Sequence, residues 1–374
     1  MNNTKLGLAH RLYSGQVSYD FVRNRKLWYT VSAVLLGISI LALIIRGLTL
    51  GIEFEGGTDF QAPIEVTSTT VADVREAVEG FEVEDLDPQV FTLGDDAVRI
   101  HTRVLSPDET ASVRLAIADL TGADPEDVTY NSIGASWGDQ VSQQAAIALV
   151  VFIALVMVLI WVWFRDWKMS VAAIIALAHD LVVTVGIYAL VGFTVTPATV
   201  IGVLTILGYS LYDTVVVFDK IKENVEGLED TNKTYSEAAN RGINQVLVRS
   251  INTTIIGVLP VAALLIAGTV LSGGPLQDLG LALFLGMIVG AYSSIFIATP
   301  VLTTLKEKEP AQVEHRATLQ RRAERAAAKA QRRSAADAPD GGDPSDGVLS
   351  TATTTRPRTQ PRTAGSRADR KKRQ

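Results

Sequence analysis

Three ionisable residues, Asp213, Arg249 and Asp180, lie inside long apolar stretches of the 374-residue chain. An ionised Asp at membrane depth costs roughly 2.5–3.5 kcal/mol on insertion scales. Such residues are therefore rare in membrane spans, and they normally pair with another group or take part in transport. The uptake and release of H⁺ by Asp213 is the simplest chemistry here, and it predicts a proton-binding site in a membrane transport protein.

Asp213 and Arg249 fall at similar depths in two consecutive, antiparallel helices. Counted from the outer helix ends, Asp213 lies ~24 Å deep and Arg249 ~27 Å deep at ~1.5 Å per residue. We therefore expect the two side chains to form a proton-responsive pair across neighbouring helices. A static ion pair that only fixes the register of the two helices is the alternative.

Asp180 lies near the middle of a third apolar stretch, next to His179. A His–Asp step could relay protons because His titrates near neutral pH. A satisfied hydrogen bond between helices explains the two residues equally well. The candidate hydrogen-bond neighbours of the three ionisable residues are His179, Tyr212, Asn252, Thr253 and Thr254. The two Thr hydroxyls could equally bond the backbone of their own helix.

Other kinds of active chemistry find little support in the sequence. The chain has no Cys, and its four His residues show no metal-ligand spacing. It contains neither a P-loop nor a dinucleotide-binding glycine motif. We therefore expect no cofactor, no metal and no hydrolytic or redox site. Protons are the expected coupling ion, and a partner's ATP is the other conceivable energy source.

Six apolar runs are long enough to span about 30 Å of hydrocarbon. They cover residues 27–50, 143–164, 169–192, 197–219, 247–268 and 279–304. The first is predicted to be a retained helix, because its polar lead-in is long and no small-residue cleavage site follows. Lys and Arg are concentrated before the first run, after the second and between the fourth and fifth. The positive-inside rule then predicts cytoplasmic termini and, in a bacterium, an inner-membrane location.

Residues 51–139, between the first two runs, are acidic and soluble in character. The order strand, helix, strand, strand, helix, strand predicts a small α+β ferredoxin-like domain outside the cytoplasm. The predicted elements are a strand over 62–67, a helix over 71–80, strands over 89–93 and 97–104, a helix from 107 to about 122 and a strand over 127–133. Thr70 with Asp73, and Ser106 with Glu109, are predicted to cap the two helices. Gly94, Asp95 and Asp96 are predicted to form the hairpin turn.

A glycine-rich segment opens this region. Gly51, Gly56 and Gly57 precede Asp59 within ten residues. Glycines at a helix exit predict a tight turn with special backbone angles, and an ordinary helix-ending loop is the alternative.

The segments outside the spans are polar. Residues 1–26 form a basic lead-in, and residues 306–374 form a basic tail that is predicted to be largely disordered, with a helix-permissive part over 316–333. A solvated tail is favoured over one that touches anionic lipid or ribosomal RNA. We expect membrane lipids, but no specific nucleic acid, among the partners.

Four stretches together resemble the SecD/SecF family of protein-export membrane proteins, and in particular its SecF-type members. They are G-I-E-F-E-G-G-T-D-F at 51–60, A-H-D at 178–180, G-Y-S-L-Y-D-T-V-V-V-F-D-K-I-K-E-N at 208–224 and R-S-I-N-T-T at 249–254. The resemblance covers about residues 20–308. The chain departs from the family pattern at Tyr212, where an Asn usually precedes the Asp, and at Lys220 and Lys222, which replace arginines.

The resemblance implies a fold and a set of partners. Members are similar to RND-type proton-driven transporters, so the chain would be one six-helix half and SecD the complementary half. The family uses the proton-motive force to promote polypeptide export after insertion driven by SecA. The SecYEG channel, SecA, the translocating preprotein and an insertase are the implied partners. Carried over to this sequence, Asp213 and Arg249 are the proton-responsive pair, and the outer domain moves as they titrate.

Two other functions remain open at this point. An RND-type exporter of lipids or small molecules would share the intramembrane acid, but the sequence has only six spans and one outer domain of this kind. A non-catalytic scaffold of the translocation machinery would need no titrating acid.

Overall fold

The computed structural model describes residues 18–336, except residues 82, 84, 94–95 and 271–273. In chain order the helices and strands are α1 (Arg25–Arg46), β1 (Thr49–Leu50), α2 (Ile52–Glu55), β2 (Gly57–Pro63), α3 (Thr70–Glu79), β3 (Gln89–Leu93), β4 (Ala97–Thr102), α4 (Pro107–Thr121), β5 (Thr129–Ile133), α5 (Ala135–Phe164), α6 (Trp167–Val191), β6 (Thr194–Val195), α7 (Pro197–Val225), α8 (Tyr235–Val270), α9 (Pro275–Ser293), α10 (Thr299–Lys306) and α11 (Pro310–Ala336). The N-terminal lead-in up to residue 17, Gly94 and Asp95 of the predicted hairpin, and the tail beyond residue 336 lie outside the described residues.

Six helices are long and apolar enough to cross a membrane within the described part of the chain, which confirms the predicted number. They are α1, α5, α6, α7, α8 and a sixth span that runs from Pro275 to Lys306. The helices α6, α7 and α9 with α10 form the inside of the bundle, whereas most side chains of α5 and α8 point outwards. Outward apolar side chains are expected where lipid rather than water surrounds the helices.

The inner helices approach one another closely at small residues. A Cβ on Gly202 would lie 2.8 Å from Cβ of Ala282, and one on Gly290 would lie 2.9 Å from Cβ of Ser210. Such contacts bring α9 against α7, as expected for membrane helices, which associate through close packing rather than through the hydrophobic effect. Gly208, on the same helix as Gly202, makes no such approach, since nothing among the described residues lies within 4 Å of its Cβ position.

The sixth span contains an irregular turn at its middle. Residues Ser294–Ala298 form a π-helix between α9 and α10. Pro300 follows within the first turn of α10. A proline inside a helix removes one backbone donor and crowds the carbonyl four residues earlier, so the widened turn has a local cause in the sequence. Single π turns of this kind are frequent at functional sites.

Several predicted span boundaries differ from the structure, and two of the differences have a clear local cause. The first span ends at Arg46 rather than at residue 50, because Gly47 adopts a φ of 69° and the chain then enters β1, which pairs with β6. The fifth begins at Tyr235 rather than at 247. Asn240 and Asn244 in the added turns bond the backbone of Tyr19, and Asn240 also accepts from the backbone N–H of Phe21. Because these residues are polar, hydropathy does not detect the first turns of α8.

The outer domain has the predicted order of elements, with β2, α3, β3, β4, α4 and β5 in succession. Its four strands form an antiparallel sheet in the order β3-β4-β2-β5. Phe60, Val98 and Ile100 from the strands pack with Val78 of α3 and Ile117 of α4 in one apolar core. The assignment to the ferredoxin-like class stays a prediction.

The two predicted helix caps have different outcomes. Ser106 and Glu109 form the expected capping box at the start of α4. The predicted box of Thr70 and Asp73 is wrong, since α3 begins one residue earlier and has no side-chain cap. Thr70 instead accepts a hydrogen bond from the backbone N–H of Thr67. The Thr70 hydroxyl therefore bonds the turn before α3, whereas the sequence pattern predicts that it caps the helix.

The glycine-rich segment joins the domain to the spans through a special backbone path. Gly56 has a φ of 78° and Gly57 a φ of 138°, and a Cβ on Gly57 would lie 2.5 Å from the carbonyl oxygen of Thr102. The backbone N–H of Gly51 donates to the carbonyl of Val195, in β6, at 2.9 Å. The predicted tight turn is thus a three-way junction between α1, the domain and the α6–α7 connection.

Candidate functional site

Asp213 is buried in the bundle and hydrogen-bonded across a helix contact. Its side chain lies on α7 and is 6% exposed. The hydroxyl of Ser250, on α8, donates to Oδ2 of Asp213 at 2.5 Å. A serine hydroxyl of this kind can donate to a carboxylate or accept from a protonated carboxyl. Ser250 is itself buried, so this polar contact is enclosed by protein.

Arg249 contacts a different residue from the one that the sequence predicts. No described ion pair joins it to Asp213. Its Nη2 instead lies 3.4 Å from the hydroxyl of Tyr212, on the exposed side of the α7–α8 contact. The physical reason lies in helix geometry, since consecutive residues point about 100° apart and only one of Arg249 and Ser250 can face Asp213. The predicted direct pair is therefore not formed in this structure.

The side chains around Arg249 mostly serve their own helix. Thr253 donates its hydroxyl to the carbonyl of Arg249 at 2.8 Å, and Thr254 donates to the carbonyl of Ser250 at 3.0 Å. Both threonines therefore bond the backbone of their own helix rather than one of the three ionisable side chains. Asn252 lies on the exposed face of α8. The hydroxyl of Tyr209 crosses from α7 to the carbonyl of Thr253 at 2.8 Å.

Asp180 lies on α6 and is buried in the contact of α6 with α7. It is 1% exposed, and Oδ2 accepts a hydrogen bond from the hydroxyl of Ser210 at 2.6 Å. Nδ1 of His179 lies 3.4 Å from Oδ1 of the same carboxyl. His179 is also buried, and its Nε2 has no hydrogen-bond partner among the described residues. The structure therefore brings the predicted His–Asp neighbours together and adds a serine from α7.

Asp59, at the end of the glycine-rich segment, belongs to the outer domain rather than to the buried acids. It points to Arg99 and His101 on the neighbouring strand β4, with its oxygens 3.6 Å from Nε of Arg99 and 3.3 Å from Nε2 of His101. These three side chains border a cavity of ≈ 460 Å³ between the sheet and the N-terminal ends of α7 and α9. Asp59 thus helps to shape the junction between domain and spans.

The serine partners of the two buried acids suit either protonation state of a carboxyl. A serine hydroxyl both donates and accepts, so it can bond a carboxylate or a protonated carboxyl, whereas a guanidinium can only donate. Ser250 and Ser210 therefore satisfy Asp213 and Asp180 in either protonation state. Among the described residues, no group of three or more His, Cys, Asp or Glu could hold a metal ion.

The sequence patterns do not predict the two serine partners, Ser250 and Ser210. Serine is neutral and common in membrane helices, so hydropathy and charge give it no weight. A signal did exist for Ser250, because it follows Arg249 directly and a turn of about 100° brings one or the other to the neighbouring helix. Ser210 stands three residues before Asp213, which puts both on nearby faces of α7.

Comparisons with known proteins agree with this architecture. The family model described as "Protein export membrane protein SecD/SecF, C-terminal" matches residues 114–308. The protein translocase subunit SecF of Streptomyces coelicolor is 45% identical over 368 residues, which cover 97% of each chain. The subunit of the same name from Mycobacterium tuberculosis strain H37Rv is 44% identical, over 82% of this chain and 72% of that one.

A longer relative and its solved structure give the same result. The protein translocase subunit SecDF of Thermus thermophilus is 32% identical over 76% of this chain, and the match takes in 38% of that protein. The crystal structure of SecDF from Thermus thermophilus, a translocon-associated membrane protein, is similar with a TM-score of 0.68 and 28% identity, over 79% of this chain and 39% of that one.

The six spans, the buried acids and these matches give a consistent assignment. The family model covers more than half of the sequence, and the similarity to the Streptomyces coelicolor protein extends over nearly its full length. The chain is a multi-pass membrane protein with an RND-like helical fold, and it belongs to the SecD/SecF family of protein-export membrane proteins.

Proposed function

We propose that this chain is the SecF-type subunit of a bacterial Sec translocase and that it uses the proton-motive force to promote polypeptide export. In this role it acts with SecD, after SecA has driven insertion of the preprotein through the SecYEG channel. Protons are the coupling ion, and the chain itself needs no cofactor. Membership of the family and the names of the relatives support the assignment to the translocase.

The observation that carries the proton-coupling part is the environment of Asp213. This carboxyl is buried within a membrane span and bonded to a hydroxyl that serves both of its protonation states. A residue needed only to fix helix register would gain more from a permanent ion pair with the nearby arginine. The absence of that pair among the described contacts favours a carboxyl that titrates.

Two neighbouring rungs across α7 and α8 suggest how titration moves the helices. Tyr212 bonds Arg249, and Asp213 bonds Ser250. The partners on each helix are consecutive residues, which lie ~1.5 Å apart along the helix axis and about 100° apart around it, so exchanging Ser250 for Arg249 at the carboxyl takes a rotation of α8 as well as a shift. An ionised Asp213 favours the guanidinium and a protonated one favours the serine. Protonation thereby selects between two helix arrangements.

The exposed side of these rungs suggests where SecD binds. Arg249, Asn252 and the half-exposed Tyr212 lie on the outer surface of α7 and α8. Polar groups facing hydrocarbon are costly, so this surface is suited to contact another protein. The SecDF relative contains further sequence beyond the part that this chain matches. We therefore propose that the complementary six-helix half covers the Arg249 side of the bundle.

The proposed setting is the cytoplasmic membrane, with both termini inside and the β2–β5 domain outside. The positive-inside distribution of Lys and Arg supports this orientation. One proton crossing 100 mV yields ~2.3 kcal/mol, which is enough to bias a change between two arrangements that differ by a few kcal/mol. The domain is joined to the spans at Gly51 and Gly57, so a change in the spans is passed to it there.

Export of a signal-bearing reporter in cells tests the proposal. The chromosomal copy is replaced by Asp213→Asn, with Asp219→Asn as the matched control, because Asp219 lies on the same helix and is exposed. At equal expression, Asp213→Asn should lose most of the export that depends on this protein and Asp219→Asn should keep it. Unchanged export in both variants would favour the scaffold function instead.

A further inference from the structure

A second hydrogen-bonded cluster lies around Asp180, where α6 packs against α7. Its members come from three helices. Ser210 of α7 donates to Asp180 of α6 at 2.6 Å. The hydroxyl of Ser294, in the π-helical turn, lies 3.2 Å from the carbonyl of Ser210 and 2.9 Å from the hydroxyl of Thr214. All four residues are buried, so the cluster is closed off from lipid and water.

One turn of α7 therefore carries contacts to three other spans. Within Ser210–Thr214, residue 210 bonds α6, residue 213 bonds α8 and residue 214 bonds the sixth span. Polar bonds between membrane helices are few, and those that involve a carboxyl are the strongest available there. A change in the hydrogen bonds of Asp180 or of Asp213 therefore acts on the same turn of α7.

The sixth span is shaped to make this contact. Gly290 lets α9 approach Ser210 so closely that a Cβ would lie 2.9 Å from the Ser210 Cβ. Four residues later the helix widens at Ser294, whose hydroxyl also lies 3.0 Å from the carbonyl of Gly290. Pro300 explains why the helix widens, and the bonds of Ser294 explain why the widened turn faces α7.

We propose that Ser210 and Ser294 are positioning residues for proton coupling, which hold the buried carboxyl of Asp180 and the turn that bears Asp213 in one hydrogen-bonded unit. The inference rests on the proposed function, because it assigns these serines a part in the same coupling. In this unit the Ser210 hydroxyl can donate to an ionised Asp180 carboxyl or accept from a protonated one, so the bond survives a reversal from donor to acceptor. Ser294 keeps the carbonyl and the hydroxyl of the α7 turn in place during that reversal.

The surroundings of Asp180 leave Ser210 as its main partner. The titratable side chains away from the helix ends, on α6 and on the spans packed against it, are His179, Tyr188, Tyr209, Tyr212, Asp213 and Tyr292. Of these, His179 is the one within hydrogen-bond distance of the carboxyl. The ring of Tyr292 lies 5.9 Å from the imidazole of His179, and its hydroxyl lies 3.1 Å from that of Ser32 on α1.

Four single variants with two matched pairs test the inference. Ser210→Ala is compared with Ser170→Ala, which removes a buried hydroxyl on α6 that has no partner among the described residues. Ser294→Ala is compared with Ser293→Ala, whose hydroxyl bonds only the carbonyl of Gly290 in its own helix. Export is measured at several external pH values with the full chain in cells. Thermal unfolding of each purified protein checks that it folds.

The expected result separates the members of each pair. Ser210→Ala should lower gradient-dependent export by about tenfold, which corresponds to ~1.4 kcal/mol, and change its pH profile. Ser294→Ala should change the profile in the same direction, and the two controls should keep the wild-type profile. Asp180→Asn combined with Ser210→Ala should be no worse than Asp180→Asn alone, since both act on one bond.

Other outcomes would overturn the inference. It fails if Ser210→Ala and Ser294→Ala keep the wild-type pH profile, or if their losses only follow a lower unfolding temperature. Asp213→Asn, run in parallel, distinguishes this failure from that of the proposed function. If Asp213→Asn loses gradient-dependent export while the serine variants keep it, only the role of the serines is contradicted. If Asp213→Asn also keeps it, the proposed function fails as well.

Discussion

The hydroxyl of Ser250 lies 2.5 Å from Oδ2 of Asp213, across the contact between α7 and α8. This bond gives a buried acid a partner that remains suitable when the acid binds a proton. Arg249, one residue before Ser250, can replace it only after α8 rotates about its axis, because consecutive residues point about 100° apart. The contact thus combines a stable resting bond with a charged alternative next to it.

Removing the hydroxyl of Ser250 should impair coupling. Ser250→Ala leaves the Asp213 carboxylate without its donor, and an unsatisfied buried polar group costs about 1–3 kcal/mol. We expect gradient-dependent export to fall by about tenfold or more, and Ser250→Thr, which keeps a hydroxyl, to restore most of it. Thr254→Ala is the control, because that hydroxyl bonds only the backbone of its own helix. Equal export by Ser250→Ala and Thr254→Ala would show that the bond is dispensable.

Tyr212 should matter through its hydroxyl. Tyr212→Phe keeps the ring and removes the group that bonds Arg249, so the guanidinium loses its partner on α7. We expect Tyr212→Phe to reduce export several-fold, by about 1 kcal/mol for a bond to a charged group that is largely exposed. Tyr212→Asn, the residue that the family resemblance leads us to expect at this position, should retain more activity. Reporter export at equal expression compares the activities of wild type and the two variants. A Tyr212→Phe variant as active as wild type would contradict the role of the hydroxyl.

The junction between domain and spans should depend on Gly57. Gly57→Ala places a Cβ 2.5 Å from the Thr102 carbonyl at a φ of 138°, and a residue in such a region costs about 1–3 kcal/mol. We expect a lower unfolding temperature of the purified protein and faster amide exchange in β2 and β4. Gly134→Ala is the control, since that glycine has a φ of −70° and open space around it. Similar unfolding of both variants would show that the junction tolerates the side chain.

The capping box of α4 predicts a pH-dependent stability of the outer domain. Hydrogen bonds from Arg103 and Ser106 lower the pKa of Glu109 to about 2. The ordinary Glu pKa is ~4.3. Because the folded-state pKa is the lower one, the stabilisation is present in full above about pH 4.3 and is lost as the pH falls towards 2. Glu109→Gln should therefore weaken α4 at pH 7 and differ little from wild type near pH 2.

Amide exchange in α4 measures this difference, with Asp108→Asn in the same first turn as the control. Faster exchange should appear in Glu109→Gln at neutral pH, and it should converge with wild type on acidification. A difference that stays constant from pH 7 to pH 2 would contradict the assignment to the ionised carboxyl.

The sequence allowed the large features to be predicted because they depend on long, uniform patterns. Six apolar runs predict six spans, and the order of strands and helices in the outer domain follows from alternation and turn residues. The boundary of α8 was missed because polar Asn240 and Asn244 continue the helix and bind the N-terminal segment. Asp213 and Asp180 are predicted as candidate site residues from the free-energy cost of placing a charged side chain in an apolar span.

The partners of those acids could not be predicted in the same way. Pairing Asp213 with Arg249 satisfies charge and depth, yet rotation about the helix axis decides which of two consecutive residues faces the acid. Ser250 and Ser210 carry no charge, so composition and hydropathy do not distinguish them from any other serine. The direction in which a side chain points depends on how its helix is rotated against its neighbours. That rotation is set by contacts between residues far apart in the sequence, such as Gly290 with Ser210.

The dependence of export on an imposed proton gradient tests the central claim most directly. Reporter export is measured in energised cells over a series of transmembrane pH differences, for wild type, Asp213→Asn and the exposed control Asp219→Asn at equal expression. We predict that export rises with the gradient in wild type and Asp219→Asn, and that Asp213→Asn abolishes this rise while leaving the basal, SecA-driven level. The same rise in Asp213→Asn as in wild type would contradict proton coupling through this carboxyl.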